Sequence, residues 1–250
     1  MRDHRLVAAL ACRNNSTRLY GKPLQLLDIK KKITVLDHII ILLKKLKIFD
    51  DITLGIANSK DNIIYETIAR KHKISFIYGP EDNVIKRLIL CAKKNNSTDI
   101  FRITTESPFL YYQKVKKLWK RYKEENLDAI FFDDIVDGCG FEIVSLRTMI
   151  FLLKKAKGEA KEHATKYLRE NINMFRVAKE RPKDFFYRKD LRLTIDYPED
   201  LILCRKIFMK FKKKHPYYDL RDIIKYLDRN PKLKSLVKKF TKEGYKMMYL

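Results

Sequence analysis

At 250 residues the chain is long enough for one full hydrophobic core, and a hydrophobic content of 46% with 14 Tyr and 14 Phe excludes a disordered class. The net charge of +24, from 55 Lys and Arg against 31 Asp and Glu, points to an anionic partner: nucleic acid, an acidic membrane surface or an anionic small molecule. No apolar run has the length of a spanning helix, the start MRDHRLVAAL lacks a signal-peptide pattern, and Cys12, Cys91, Cys139 and Cys204, without a CxxC pair, read as reduced thiols of a cytoplasmic protein.

Strand and helix patterns alternate from the start. LVAALAC (6–12) is a short apolar run that fits a buried strand, and VLDHIIILLKKLKIF has helical spacing. DITLGIAN (51–58) reads as the next strand, followed by a helix from Asp61, its expected N-cap, to about His72. ISFIYG (74–79), the helix NVIKRLILCAKK, the strand DIFRIT (99–104), a helix over 111–125 and the strand DAIFFDD (128–134) continue the series. This rhythm predicts an α/β fold with a doubly wound, mostly parallel sheet.

Beyond 135 the pattern suggests a mixed extension of that sheet. GFEIVS (140–145), helices from 146 and around 161–171, MFRVAKE (174–180) and LRLTID (191–196) lead to closing helices at 199–214 and 219–240. There is no Gly/Ser or Pro-rich linker, so residues 1–250 read as a single domain, with a dimerisation or acceptor insert expected around 136–190. The positive charge is spread over Lys-rich helices, and residues 201–250 alone carry fifteen Lys and Arg against four Asp and Glu. With no motif to serve, it is background that attracts an anion.

Ligands of open α/β sheets bind beyond the carboxyl ends of the strands, so the loop after the first strand is a favoured position. There ACRNNSTRLYGKPL places Arg13, Ser16, Arg18 and Lys22 around Gly21. Arginine forks and a lysine point charge suit a polyphosphate, but the spacing is neither a Walker loop nor GxGxxG, and the residues alone fit a solvated basic loop equally well. Glu106 in RITTESP and Asp196 in LTIDYPED also fall at carboxyl ends of expected strands. Two carboxylates facing a polyphosphate are what Mg²⁺ requires; alternatively Asp196 caps the helix begun by Pro198, and Glu106 is an ordinary loop acid.

Six segments, in order, resemble the cytidylyltransferases of the spore-coat-polysaccharide type, relatives of the acylneuraminate and KDO cytidylyltransferases. ACRNNSTRLYGKPL resembles QARxxSTRLPGKxL, YGPEDNVIKR resembles GxxxDVLxR, and FRITTESPFL resembles RITGDCPLI. DGCGFEIVS resembles DGxDxEVFS, KEHATKYLREN resembles REHVTxYIxxN, and LRLTIDYPEDL resembles LRxTVDTPEDL. The resemblance implies a nucleotide-diphospho-sugar transferase-like fold and Mg²⁺-dependent transfer from CTP to an acidic sugar, of the nonulosonic-acid or KDO kind, or to a related acid, for surface glycan synthesis. It implies catalytic Arg13, Arg18 and Lys22, with Ser16, Asn83 and Arg87 also at the nucleotide. Asp137, Glu142, Glu162 and His163 would face the acceptor, Glu106 and Asp196 would hold the metal, and the enzyme would be a homodimer. His163 also reads as a structural histidine bracing its helix.

This chain departs from the family pattern at several places. Glu106 replaces Asp, Thr105 replaces the Gly before it, Asn15 and Tyr20 replace Gly and Pro of the first loop, and Gly140 replaces the second Asp of DGxD, which suggests a changed acceptor. Asn15, in place of Gly, is a mild change if that position has positive φ. The rival readings are a degenerate family member that binds nucleotide without turnover, a sugar-nucleotide-dependent glycosyltransferase, and a basic nucleic-acid-binding protein. The last lacks any recognition motif, and DD at 133–134 is a poor match to a glycosyltransferase Asp-x-Asp.

Overall fold

The structure, a computed structural model, describes residues 3–156, 158 and 163–241. A seven-stranded sheet runs through it, built from β1 (Leu6–Cys12), β4 (Asp51–Ala57), β5 (Ser75–Gly79), β6 (Asp99–Arg102), β7 (Ala129–Phe132), β8 (Phe141–Ser145) and β9 (Val177–Lys179) in the order β5-β4-β1-β6-β8-β7-β9. β1 is parallel to both β4 and β6, and β4 is parallel to β5. β8 is antiparallel to its neighbours β6 and β7, and β7 is parallel to β9. The fold is thus α/β with a mixed, mostly parallel sheet, as the alternating pattern predicts. The segment 136–190 is stitched into the sheet by β8 and β9.

Side-chain alternation on β1 shows how the sheet acquires two covered faces. Leu6, Ala8, Leu10 and Cys12 pack into the larger core, with α1 (Val35–Leu46), α2 (Ile64–His72), α4 (Val115–Glu124), α7 (Pro198–Lys210) and α8 (Leu220–Asp228). Val7 and Ala9 face a second core under α3 (Val84–Lys94), α5 (Leu146–Lys155) and α6 (Lys166–Glu170). α3 lies very close to the sheet: a Cβ on Gly55 would meet the Arg87 Cβ at 3.2 Å, and one on Gly79 would meet the Arg87 Cγ at 2.9 Å. Those two glycines make room for the stem of a buried arginine.

Several element boundaries differ from the sequence expectation. A short hairpin, β2 (Leu26–Asp28) with β3 (Ile33–Thr34), precedes α1 and was not anticipated. Asp61 is no N-cap but sits within a 3-10 turn, Lys60–Asn62, ahead of α2. The expected strand 191–196 forms only one bridge, Arg192 with Asp137. Its amides instead donate to loops, Leu193 N–H to the Asp137 carbonyl (2.8 Å) and Ile195 N–H to the Glu106 carbonyl (3.0 Å). The expected helix 219–240 breaks at Asn230, because Pro231 has no N–H to continue the ladder and instead opens α9 (Pro231–Ser235). The helix expected around 161–171 begins only at Lys166 among the described residues.

α1 is fixed at its start by a capping box, in which Thr34 Oγ1 accepts the Asp37 N–H at 2.9 Å and Asp37 accepts the Thr34 N–H at 3.0 Å. One turn on, the His38 ring Nε2 donates to the Pro108 carbonyl at 2.8 Å, tying α1 to the loop that carries Glu106. Burial, followed by the proximity of His215, depresses the His38 pKa to about 3 from 6.5, the Pro108 carbonyl opposing only in part. The unfolded chain therefore takes up a proton below about pH 6.5 that the folded chain refuses until about pH 3, so His38 makes stability fall with falling pH across that window. Urea unfolding at pH 7 and pH 5 is expected to show a loss of about 1–2 kcal/mol more in the wild type than in His38→Gln, at roughly 1.4 kcal/mol per pH unit for one proton. Parallel behaviour of the two proteins would contradict this assignment.

Candidate active site

β1 is the switch point of the sheet: one connection leads to β4 on one side, while β6 flanks it on the other. The loop after β1 is held by Asn14, which is buried. Its backbone N–H donates to Asn62 Oδ1 (2.8 Å), its side-chain amide donates to the Asp61 carbonyl, and its Oδ1 accepts the Tyr65 hydroxyl (2.8 Å). Its carbonyl accepts the Gly21 N–H at 2.9 Å, closing the loop 14–21. Gly21 has φ 59°, which explains the glycine there, whereas Asn15 takes no positive φ. Thr105 crosses from the β6 loop, its hydroxyl donating to the Ala11 carbonyl at 3.0 Å.

The cleft above these strand ends has two chambers. One, of about 330 Å³, is lined by Arg13, Ser16, Arg18, Lys22 and Arg87. The other, of about 290 Å³, is lined by Asp137, Glu142, Thr165, Arg169 and Arg192. Arg18, Arg102, Glu106, His163 and Asp196 line both, and so mark the junction. Among the described residues lining the first chamber, the cations Arg13, Arg18, Lys22, Arg87 and Arg102 stand against the carboxylates of Glu106 and Asp196. A low-dielectric cleft with such an imbalance attracts a polyanion.

Asp196 is the meeting point. Its Oδ1 accepts from Lys22 Nζ (2.5 Å) and Arg18 Nη2 (3.1 Å), and its Oδ2 accepts from Arg192. Burial alone would raise its pKa; Lys22, then Arg192 and Arg18, outweigh burial and hold it below the ordinary value. Glu106 behaves in the opposite way. Burial raises it, Lys22 offsets this in part, and the nearby charge of Asp196 adds to the rise. Asp137 is raised to about 6, by burial against the opposing Arg192, with Asp196 and Asp200 adding to it.

Glu142 is locked in the second chamber. Arg102 donates to one of its oxygens (2.5 Å), and Arg169 and Thr165 donate to the other (3.0 Å each). Burial pushes its pKa up, but the two guanidiniums hold it below the ordinary value. Arg169 also pairs with Asp133 and lies 4.0 Å over the Phe131 ring. At Gly140 a Cβ would sit 2.5 Å from the Phe132 carbonyl oxygen and 3.0 Å from the Asp133 Cα, so this backbone has no room for the acid of the family pattern.

Eleven of the expected site residues fall among the described residues, and ten of them line the cleft. Asn83 does not; its side chain caps α3, accepting the Lys86 N–H at 2.8 Å. Arg87 lines the first chamber while its Nη1 donates to the Pro80 and Glu81 carbonyls (2.5 and 2.7 Å), bracing the loop before α3. His163 lines both chambers, and its carbonyl accepts the Lys166 N–H at 2.9 Å. Glu162 lies outside the described residues. Sequence reasoning missed Asn14, Arg102, Arg169 and Arg192. Their signal was charge or amide character inside otherwise apolar or motif segments, and their long-range partners were not readable from spacing.

The sequence profile of the family described as Cytidylyltransferase matches residues 7–237. The chain belongs to the cytidylyltransferase family. It is accordingly a nucleotidyltransferase. The spore coat polysaccharide biosynthesis protein SpsF of Bacillus subtilis is 23% identical over 228 residues, which cover 89% of this chain and 93% of SpsF. A cytidylyltransferase from Leptospira borgpetersenii has a TM-score of 0.83 at 22% identity, over 94% of this chain and 97% of that one. CMP:2-keto-3-deoxy-manno-octonic acid synthetase complexed with CTP has a TM-score of 0.62 at 12% identity, over 82% and 99%. These structures share the α/β fold of nucleotide-diphospho-sugar transferases with this cytidylyltransferase-family chain. Among the described residues, no helix is long and apolar enough to cross a membrane, and Cys12, Cys91, Cys139 and Cys204 are free and buried.

Proposed function

We propose that this protein transfers the cytidylyl group of CTP to an acidic sugar or a related acid, releasing pyrophosphate. The observation that carries this reading is the two-chamber cleft, cationic on one side and joined to the other at Asp196. In this reading Arg13, Ser16, Arg18 and Lys22 hold the triphosphate, and the α-phosphorus lies at the junction. An acceptor oxygen from the second chamber attacks in line, and pyrophosphate leaves toward Arg18 and Lys22. Catalysis is placement and charge neutralisation, with no covalent intermediate.

Glu106 and Asp196 fit a magnesium ion. Both are oxygen donors at the junction, and the hydrogen bond from Ile195 N–H to the Glu106 carbonyl keeps their two loops adjacent. Mg²⁺ needs few protein ligands, because it takes its remaining oxygens from water and substrate phosphates. The bound ion would supply further neutralisation of phosphate charge. The likeness to SpsF, named for spore coat polysaccharide biosynthesis, and to a sugar-acid synthetase complexed with CTP supports an acidic-sugar acceptor and a surface-glycan role. The test is pyrophosphate release from each of the four nucleoside triphosphates with a panel of sugar acids, with and without Mg²⁺. Release is expected with CTP, Mg²⁺ and an acid together. Silence of CTP with every acid, while the protein remains folded, would sink the reading.

A further inference from the structure

We infer that Arg192 is a positioning residue that fixes which oxygen of Asp196 faces the ligand; the inference rests on the proposed role of Asp196. Arg192 is only 2% exposed, yet its guanidinium meets three carboxylates. Nη1 donates to Asp137 at 2.8 Å, Nη2 donates to Asp196 Oδ2, and Nε donates to Asp200 at 3.1 Å. Asp200 in turn accepts the backbone N–H groups of Asp196 and Tyr197 at 2.9 Å each. The side chain of Asp196 is thus gripped directly, and its backbone through Asp200, by one rigid planar fork.

The two oxygens of Asp196 have separate duties. Oδ2 is held inward by Arg192, while Oδ1 meets Arg18 and Lys22 on the cleft side. Oδ1 would thereby be the oxygen that meets a cation arriving with the nucleotide, once Arg18 and Lys22 turn to the phosphates. Three carboxylates around one guanidinium leave two uncompensated negative charges, and Arg18 and Lys22 balance them from the cleft. Arg192 also reaches Asp137 in the second chamber, so both sides of the junction hang on the same buried group. Gly138 lets this happen: at φ 86° its missing Cβ would lie 2.6 Å from the Thr194 amide nitrogen, and the two segments pack backbone to backbone.

A lysine at 192 keeps the charge but cannot reach three carboxylates at once. In Arg192→Lys, Mn²⁺ binding in the presence of CTP, followed by electron paramagnetic resonance, is expected to weaken about 10-fold or more. The metal concentration for half-maximal pyrophosphate release should rise in parallel, kcat should fall about 10–100-fold, and KM for CTP should change less than threefold. Asp200→Asn keeps an oxygen acceptor for the two backbone amides but turns an N–H₂ donor toward Arg192 Nε, so it should shift the same quantities in the same order but less, with its fold checked by circular dichroism. It serves as the readout if Arg192→Lys does not fold. Unchanged Mn²⁺ binding and kcat in folded variants would overturn the positioning role while leaving the transferase reading intact. Failure of the wild type to bind Mn²⁺ with CTP would remove the transferase reading and this inference together.

Discussion

Asp196→Asn is expected to lower the rate of pyrophosphate release by about 10²–10³-fold and yet to bind metal-free CTP at least as tightly as the wild type, with a gain of up to about 10-fold. The two effects have opposite signs because Asp196 has two relations to its neighbours. In the free protein its Oδ1 engages Lys22 at 2.5 Å and Arg18 at 3.1 Å, the cations proposed to receive phosphate. A triphosphate must compete with that carboxylate. Removing the charge ends that competition for Lys22 and Arg18, and at an effective dielectric near 20 each such contact is of order a few kcal/mol before solvent screening. The same substitution removes the negative charge of one of the two groups proposed to hold the metal and leaves a single oxygen, which Arg192 claims, and loss of one preorganised electrostatic group commonly costs 10²–10³ in rate. Titration calorimetry without Mg²⁺ and a pyrophosphate assay with it check the two halves. Weaker metal-free binding, or near-normal turnover, would count against the assignment.

Glu142→Ala is expected to destabilise the fold by about 3–5 kcal/mol, the largest single loss anticipated outside the apolar cores. Its carboxylate is almost fully enclosed and answers Arg102, Arg169 and Thr165 together. Truncation leaves Arg169, 14% exposed at its side chain, with Asp133 as its remaining carboxylate partner beside the Thr165 hydroxyl and the Phe131 ring. It also leaves Arg102 without its 2.5 Å contact at the junction of the chambers. Because burial pushes the Glu142 carboxyl upward and the two arginines more than cancel it, its folded pKa lies below the ordinary value. This stabilisation is therefore present above the normal carboxylate range and is lost as the pH falls through the lowered folded value. Urea unfolding at neutral pH reads the loss. A change under about 1 kcal/mol would show that water solvates the arginine pair in place of Glu142.

The parts of the molecule legible in the sequence were those fixed by local pattern. Alternating apolar runs located β1, β4, β5 and β6, and the cationic segment after LVAALAC lies where open α/β sheets bind ligands. Glu106 and Asp196 were legible because each follows a strand-like run in a resembling motif. What escaped depended on partners far along the chain. LRLTID has the β-pattern of a strand, yet its amides go to the Asp137 and Glu106 loops, so no ladder forms. Arg192 sits among apolar residues in that same run, and only the three carboxylates converging on it from positions 137, 196 and 200 reveal its use. Asn83 has the right neighbourhood for a nucleotide contact, but the backbone of its own helix claims its side chain. Proline at 231 was in plain view, and the apolar periodicity of the surrounding residues masked the break it makes.

Gly140 bears on how the chamber proposed for the acceptor can be altered by engineering. A lone aspartate introduced there would collide with the main chain of the adjoining strand, whose Phe132 oxygen occupies the space. Changing the chain toward the acidic form of that motif therefore demands movement of the β7 end against β8, and with it of Asp133 and the arginine it holds. The second chamber is consequently shielded from remodelling by single substitutions at this position, and, if it takes the acceptor as proposed, a new acceptor is reached more readily through residues whose side chains already line it.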